Sequence, residues 1–273
     1  MTLFSRVLVP LDGTPESEVA LHHLRPVLRR EGGEAVLLRA AQLPFVPESG
    51  AALRCARSYL REATGYLEKL AELLRADGIP ARISSLEGPA QRAILGEARA
   101  QDASLIAMTT RSRVGVARWL MGSVTEQVVR ESPIPVWVTR APQEGEVDDP
   151  LELERILVPV EPDARPEPVL SPALEFARVF GARILVLRLL GGGPPLRLNG
   201  MGASLLGLRR RGLRVETFME RGDPAAAIAT AARHRQAGLV TLTEPPVQNW
   251  ARPGLAEKIL RSTRVPLLVA RGA

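Results

Sequence analysis

Short, continuous apolar segments recur along the chain and alternate with stretches of helical periodicity. Residues 6–10 read Arg-Val-Leu-Val-Pro, and residues 35–41 form a second run of this kind. Apolar runs of this length without polar alternation are typical of strands that are covered on both faces. Between them, residues 17–30 carry apolar side chains at helical spacing, and Gly32-Gly33 ends that pattern. The pattern predicts a strand, a helix and a second strand.

The same alternation continues to residue 140. It predicts helices over 52–75, 89–99 and 123–131, and strands over 80–86, 104–109 and 135–140. Strands that alternate with helices predict right-handed crossovers and a parallel sheet with helices on both faces. Ligands of such sheets lie outside the carboxyl ends of the strands, where the strand order reverses. We therefore expect a site formed by the loops at residues 10–14, 40–42 and 109–123.

The second half of the chain repeats the first. Arg6–Pro10 matches Arg155–Pro159 at an offset of 149 (155 − 6), and Val36–Arg39 matches Leu185–Arg188 at the same offset. Pro135–Arg140 matches Pro266–Arg271 at an offset of 131 (266 − 135). The second copy is therefore shorter, mainly between its second and third strands. The repeat is too long for a solenoid and predicts two tandem domains, residues 1–141 and 153–273, joined by a polar linker.

Composition narrows the class of protein. The 273 residues suit two ordinary domains, and the single Cys55 excludes an internal disulfide and favours a reducing cytoplasm. No apolar run reaches the roughly 18 residues of a membrane helix, and no signal peptide fits before the first strand. The chain has a net charge of +6, and its basic residues are almost all arginine, which we attribute to a GC-rich genome. Aromatic residues make up 4% of the chain, which argues against a base-stacking nucleic-acid surface.

The loop that follows the fourth predicted strand contains the candidate anion-binding residues. Gly122-Ser123 begins a helix, and the free amides and positive dipole end of a helix favour an anion. Arg111, Arg113 and Arg118 add positive charge nearby. Structural interpretations compete, because Ser123-x-x-Glu126 also fits a capping box and Asp12-Gly13 also fits a strand-to-helix turn.

The first half contains three motifs: the Val-Pro-Leu-Asp-Gly-Thr turn at Val9–Thr14, the Gly-Ser-Val-x-Glu helix start at Gly122–Glu126, and the Arg-x-Ser-Pro-Ile-Pro-Val tail at Arg130–Val136. In these motifs the chain resembles the universal stress protein family. The resemblance spans residues 6–140 and is fainter over the second half. It implies two tandem five-stranded parallel-sheet α/β domains of the adenine nucleotide α-hydrolase-like, Rossmann-like class, the second one degenerate.

ATP-binding members of this family carry Gly-x-x-Gly, nine residues, and then Gly-Ser or Gly-Thr. Here the spacing from Thr109 and Ser112 to Gly122-Ser123 is kept, but hydroxyl residues replace the first two glycines. Glycine allows close backbone approach to phosphate, whereas hydroxyls can themselves donate to it. The resemblance implies an ATP site with Mg²⁺ or Mn²⁺, in which Asp12 faces the ribose or the metal and the backbone near Ala40 reads the adenine. The residues implied for the site are Pro10, Asp12, Ala40, Met108, Thr109, Arg111, Ser112, Gly122, Ser123, Val124 and Thr125.

The second copy departs from this pattern. Glu161 stands at the position of Asp12, and Pro253-Gly254 stands at that of Gly122-Ser123. We expect no ATP there. By resemblance, the expected role of this copy is to pair through last strands, Val136–Thr139 with Leu267–Ala270, within one chain or in a homodimer.

The predicted function is that of a cytoplasmic stress-response protein that binds adenine nucleotide through its first domain. It is predicted not to be an enzyme, weak ATP hydrolysis aside. The alternative is a nucleotide-free interaction scaffold of the same fold. An enzyme of the wider α-hydrolase-like class lacks candidate catalytic residues, and His22, His23 and His234 show no metal-ligand spacing.

Overall fold

The structure is a computed structural model that describes residues 2–41, 50–110, 122–142, 153–160, 167–190, 209–210, 212–244 and 254–271. These residues form two compact units, 2–142 and 153–271. Each unit is an α/β fold around a parallel sheet, as the alternating pattern predicts.

The first unit alternates strands and helices along the chain. Its described elements are β1 (Arg6–Pro10), a 3-10 helix (Pro15–Glu18), α1 (Val19–Glu31), β2 (Glu34–Ala41), α2 (Gly50–Ala76), β3 (Ala81–Glu87), α3 (Ala90–Ala100), β4 (Leu105–Thr110), α4 (Ser123–Glu131) and β5 (Val136–Arg140). The strand order is β3-β2-β1-β4-β5, and all described neighbours are parallel. The central strands are fully buried, as in Val7, Leu8 and Val9 of β1.

Two adjacent glycines end α1. Gly32 adopts a left-handed conformation with φ +69°, and its amide donates to the carbonyl of Leu28. A Cβ on Gly33 would lie 2.1 Å from the carbonyl oxygen of Phe4, so only glycine allows this close approach. The helix begins later than its apolar pattern predicts, at Val19, because Pro15 starts a separate 3-10 turn.

The sheet opens between β1 and β4. β1 pairs with β2 as far as Pro10↔Leu38, and β4 pairs with β5 as far as Thr110↔Arg140. The pairing of β1 with β4 stops at Leu8↔Ile106. Beyond that pair the strands separate toward their carboxyl ends, at the place where the strand order reverses. We call this opening the fork; it is the position at which parallel α/β sheets bind ligands.

The second unit repeats this arrangement. Its described elements are β6 (Arg155–Val160), α5 (Glu167–Phe180), β7 (Arg183–Leu190), β8 (Val215–Arg221), α6 (Pro224–His234), β9 (Leu239–Glu244), α7 (Leu255–Ser262) and β10 (Leu267–Arg271). The strand order is β10-β9-β6-β7-β8, and the pairing of β6 with β9 likewise stops early, at Leu157↔Val240. Residues 191–208, where the second copy is shortened, lie outside the described residues.

None of the helices that the structure describes is long and apolar enough to cross a membrane.

Candidate functional site

Asp12 lies two residues beyond the end of β1, in a turn that its own side chain stabilises. Its Oδ1 atom accepts hydrogen bonds from the Thr14 amide, at 3.1 Å, and from the Thr14 hydroxyl, at 2.6 Å. Gly13 between them has φ +89°, a conformation that favours glycine. The turn interpretation of Asp12-Gly13 is therefore confirmed, and Asp12 remains exposed at the carboxyl edge of the sheet.

Gly122 lies on the other side of the fork, close to the end of β4. Its amide donates to the hydroxyl of Thr110 at 3.4 Å, and Thr110 is the last residue of β4. Because β1 and β4 are parallel neighbours, Asp12 and Gly122 lie at the same edge of the sheet. This is the arrangement that a shared ligand requires.

The start of α4 differs in detail from the capping-box interpretation. Gly122, with φ −59° and ψ 143°, is the N-cap residue, so Ser123 is already the first helical residue. Glu126 pairs instead with Arg130, at 2.9 Å, four residues further along the helix. The capping-box interpretation of Ser123 and Glu126 is therefore wrong. Because a glycine caps the helix, no cap side chain competes for the amides of Ser123, Val124 and Thr125.

The hydroxyl of Thr109 faces the interior of the unit. It accepts a hydrogen bond from the Ala20 amide at 3.0 Å and contacts the carbonyl oxygen of Ser17 and the hydroxyl of Thr139, both at 3.3 Å. The sequence left open that this hydroxyl could donate to phosphate, and the structure shows it engaged within the unit instead. Only the backbone of Thr109 remains for a ligand. Arg111 and Ser112 lie outside the described residues.

The backbone of Ala40 is directed into the same opening. In a parallel sheet, alternate residues of a strand hydrogen-bond to the same neighbouring strand. The Leu38 carbonyl accepts from the Leu11 amide at 2.8 Å, so Ala40, two residues later, faces the same side beyond the last paired residue of β1. Pro10 and Met108 lie near the carboxyl ends of β1 and β4. The described residues expected to bind nucleotide are thus all at one edge.

Sequence reasoning missed a group of side chains beside the turn. Arg39 of β2 is only 7% exposed, and its guanidinium carbon lies 5.2 Å from the ring centre of Tyr59 and 5.5 Å from that of Tyr66. A Cβ on Gly13 would lie 2.8 Å from the same carbon. The available signal was a charged residue within an otherwise apolar strand.

Glu18 holds one of these rings. The hydroxyl of Tyr66 donates to Glu18 Oε1 at 2.7 Å. Burial, together with this hydrogen bond and the negative charge of Glu18, raises the pKa of the Tyr66 phenol. Like an ordinary phenol, Tyr66 is neutral at physiological pH, and these contacts disfavour its ionisation further.

The second unit keeps the scaffold around its own helix start. Gly254 is the N-cap of α7, and Glu257 pairs with Arg261 as Glu126 pairs with Arg130. No carboxylate turn like that of Asp12 is described there, because Glu161 lies outside the described residues.

Comparison with known proteins gives the family. The sequence model of the universal stress protein family matches residues 3–140. Universal stress protein MJ0531 of Methanocaldococcus jannaschii is 27% identical over 144 residues, a match that covers 52% of this chain and 85% of that protein.

Solved structures extend the likeness to the second unit. A universal stress protein from Archaeoglobus fulgidus superimposes with a TM-score of 0.78 and 20% identity, covering 98% of both chains. A functionally unknown protein, PA1789, from Pseudomonas aeruginosa gives 0.70 and 16% identity, covering 98% of this chain and 92% of the other. At these identities the likeness shows the fold. On the match of residues 3–140, the chain belongs to the universal stress protein family.

Proposed function

We propose that this protein binds ATP at the fork of the first unit and responds to adenine nucleotide in the cytoplasm as a binder rather than an enzyme. One observation carries the proposal. The Asp12 turn and the glycine-capped start of α4 lie on the two sides of the fork, at the same edge of the sheet.

The start of α4 is the proposed binding site of the phosphates. The first amides of a helix lack partners within the helix, and its dipole places partial positive charge there. Gly122 provides no competing side chain, and the exposed Ser123 can add its hydroxyl as a donor. These are the features of an anion-binding helix N-terminus.

Asp12 is the proposed contact for the ribose or for a divalent metal carried by the phosphates. No group of three His, Cys, Asp or Glu side chains with metal-site geometry occurs among the described residues. A metal would therefore be held mainly by phosphate oxygens and water, as Mg²⁺ commonly is, with Asp12 contributing one carboxylate. The backbone groups near Ala40, Pro10 and Met108 would contact the base.

A matched pair of substitutions tests the proposal. Gly122→Asp places a carboxylate at the N-cap of α4, where it accepts from the free amides and repels phosphate. Within the described residues, a Cβ on Gly122 meets no atom within 4 Å, so we expect folding to be kept, with stability changed by roughly a few tenths of a kcal/mol. Gly254→Asp makes the same change at the N-cap of α7.

We expect calorimetric titration to show that Gly122→Asp abolishes ATP binding while Gly254→Asp leaves it at the wild-type level. Equal affinity in both variants would contradict the placement of the phosphates on α4. Binding that is lost in both variants would show that the second unit contributes to the site.

The alternative is a nucleotide-free interaction scaffold of the same fold. The internal hydrogen bonds of Thr109 favour it, because they engage a hydroxyl that could otherwise donate to phosphate. Adenine nucleotide released from the denatured, purified protein and identified by mass analysis would exclude this alternative.

A further inference from the structure

Two polar atoms without partners lie side by side on β2 and β3 of the first unit. Arg39 and Ser85 are register partners in this parallel pair, so their side chains point to the same face of the sheet. Within the described part of the chain, Arg39 Nε and Ser85 Oγ are both buried and have no hydrogen-bond partner. Buried polar atoms are nearly always hydrogen-bonded, so a donor pair of this kind calls for an acceptor.

The charge of Arg39 also lacks a carboxylate partner among the described residues. Two carboxylates near this cluster accept other hydrogen bonds: Glu18 accepts from the hydroxyl of Tyr66, and Asp12 accepts from Thr14. Tyr66 is held neutral, so it supplies no negative charge. The contacts with Tyr59 and Tyr66 are cation–π contacts, which offset only part of the cost of burying a cation.

The guanidinium is directed toward the carboxyl edge rather than into the core. Its carbon lies against Gly13, whose missing side chain leaves it room. The guanidinium of Arg39 therefore lies beside the turn that follows β1, at the carboxyl edge of the sheet.

The second unit provides a comparison inside the same chain. Arg188 of β7 occupies the position equivalent to Arg39, and its Nε is also buried without a partner among the described residues. Its register partner on β8 is Met219, which cannot donate a hydrogen bond and is 58% exposed. Among the described residues, the first unit alone therefore combines this arginine with a hydroxyl at the register position of the neighbouring strand.

We propose that Arg39 and Ser85 form a subsite for an oxyanion, the phosphate or carboxylate group of a small molecule, beside the Asp12 turn. Guanidinium is suited to both groups because its planar fork of donors matches paired oxygens. The subsite is separate from the start of α4 and stands whether or not the fork binds ATP.

The test uses the full chain with inorganic phosphate and malonate as probes at low ionic strength. Arg39→Gln removes the charge, Ser85→Ala removes the hydroxyl, and Arg188→Gln is the matched control in the second unit. We expect at least one of the two anions to raise the unfolding midpoint of the wild type and of Arg188→Gln. We expect Arg39→Gln to lower the affinity for the anion by about tenfold or more, the value of one charge-assisted hydrogen bond. At anion concentrations near the wild-type dissociation constant, the shift in unfolding midpoint should then disappear. Ser85→Ala weakens the response by less.

Stability without added anion gives a second readout. Because the cation–π contacts only partly offset the cost of burying Arg39, Arg39→Gln is expected to unfold at the same midpoint as the wild type or a higher one. An arginine with a purely structural role would instead make the variant less stable, and neither anion would change the difference.

Three outcomes overturn the subsite: no anion response in the wild type, which leaves ordered water as the partner of Arg39; an unchanged response in Arg39→Gln; and an equal loss in Arg188→Gln. The Gly122→Asp variant separates the two sites, since it is expected to lose ATP and to keep the Arg39-dependent response to the anion. A preference for phosphate or for malonate shows whether the subsite is suited to the phosphate group or to the carboxylate group of its ligand.

Discussion

The hydroxyl of Thr109 joins three parts of the first unit. It connects β4 to the 3-10 turn through Ser17, to the start of α1 through Ala20, and to β5 through Thr139. A glycine at this position would leave the Ala20 amide without that acceptor. Compared with glycine, Thr109 has a more restricted backbone, and its hydroxyl links β4 to neighbouring elements next to the fork.

Thr109→Val removes the hydroxyl at nearly constant shape and leaves the buried Ala20 amide unsatisfied. We expect the first unit to lose about 1–3 kcal/mol of stability, measured by urea unfolding. Thr243→Val is the control, because Thr243 is the equivalent residue of β9 and has no side-chain hydrogen bond among the described residues. An equal loss in both variants would contradict the role given to Thr109.

Individual side chains were the least predictable level of the structure. The repeat showed that Arg39 and Arg188 are equivalent, but not that both are buried without partners, because burial depends on helices distant in sequence. The direction of the Thr109 hydroxyl was equally hidden, since a threonine at the end of a strand can face either the ligand or the core.

At the scale of elements, the fork is the feature on which the proposed function rests. It arises because β1 and β4 share only two register pairs, Val7↔Leu105 and Leu8↔Ile106, and then separate. The alternation of strands and helices predicted the parallel sheet and its carboxyl edge, where sheets of this class bind ligands. It did not predict the N-cap of α4, because Gly122 and Ser123 are both acceptable cap residues and only the backbone conformation decides between them.

Arg25 of α1 forms an ion pair with Asp77, which directly follows α2. The hydrogen bond from Arg25 lowers the pKa of Asp77 below its ordinary value of 3.8. A carboxylate with a lowered pKa stabilises the folded state above its unfolded pKa, and this contribution is lost as the pH falls through the folded value.

Asp77→Asn removes this pH-dependent contribution. We expect the variant to be less stable than the wild type at pH 7 and the difference to disappear below the ordinary pKa, toward pH 3 and lower. Urea unfolding at a series of pH values measures the difference, with Glu72→Gln on the exposed side of α2 as a surface-charge control. A difference that stays constant across this range would contradict the assigned ion pair.

At the scale of the whole molecule, one architecture occurs twice with different chemistry. Both units have the fork, a glycine N-cap and a Glu–Arg pair on the following helix. The Asp12 turn and the Arg39–Ser85 pair belong to the first unit alone among the described residues. The repeat offsets predicted this duplication, whereas the proposed division of roles rests on the substituted positions.

If only the first unit binds nucleotide, as proposed, each chain has one ATP site. Calorimetric titration of ATP into the unmodified protein, with Mg²⁺ present, counts the sites on each chain. The account predicts one site per chain. No heat at millimolar ATP would contradict nucleotide binding at the fork, and two sites per chain would contradict the loss of that chemistry from the second unit.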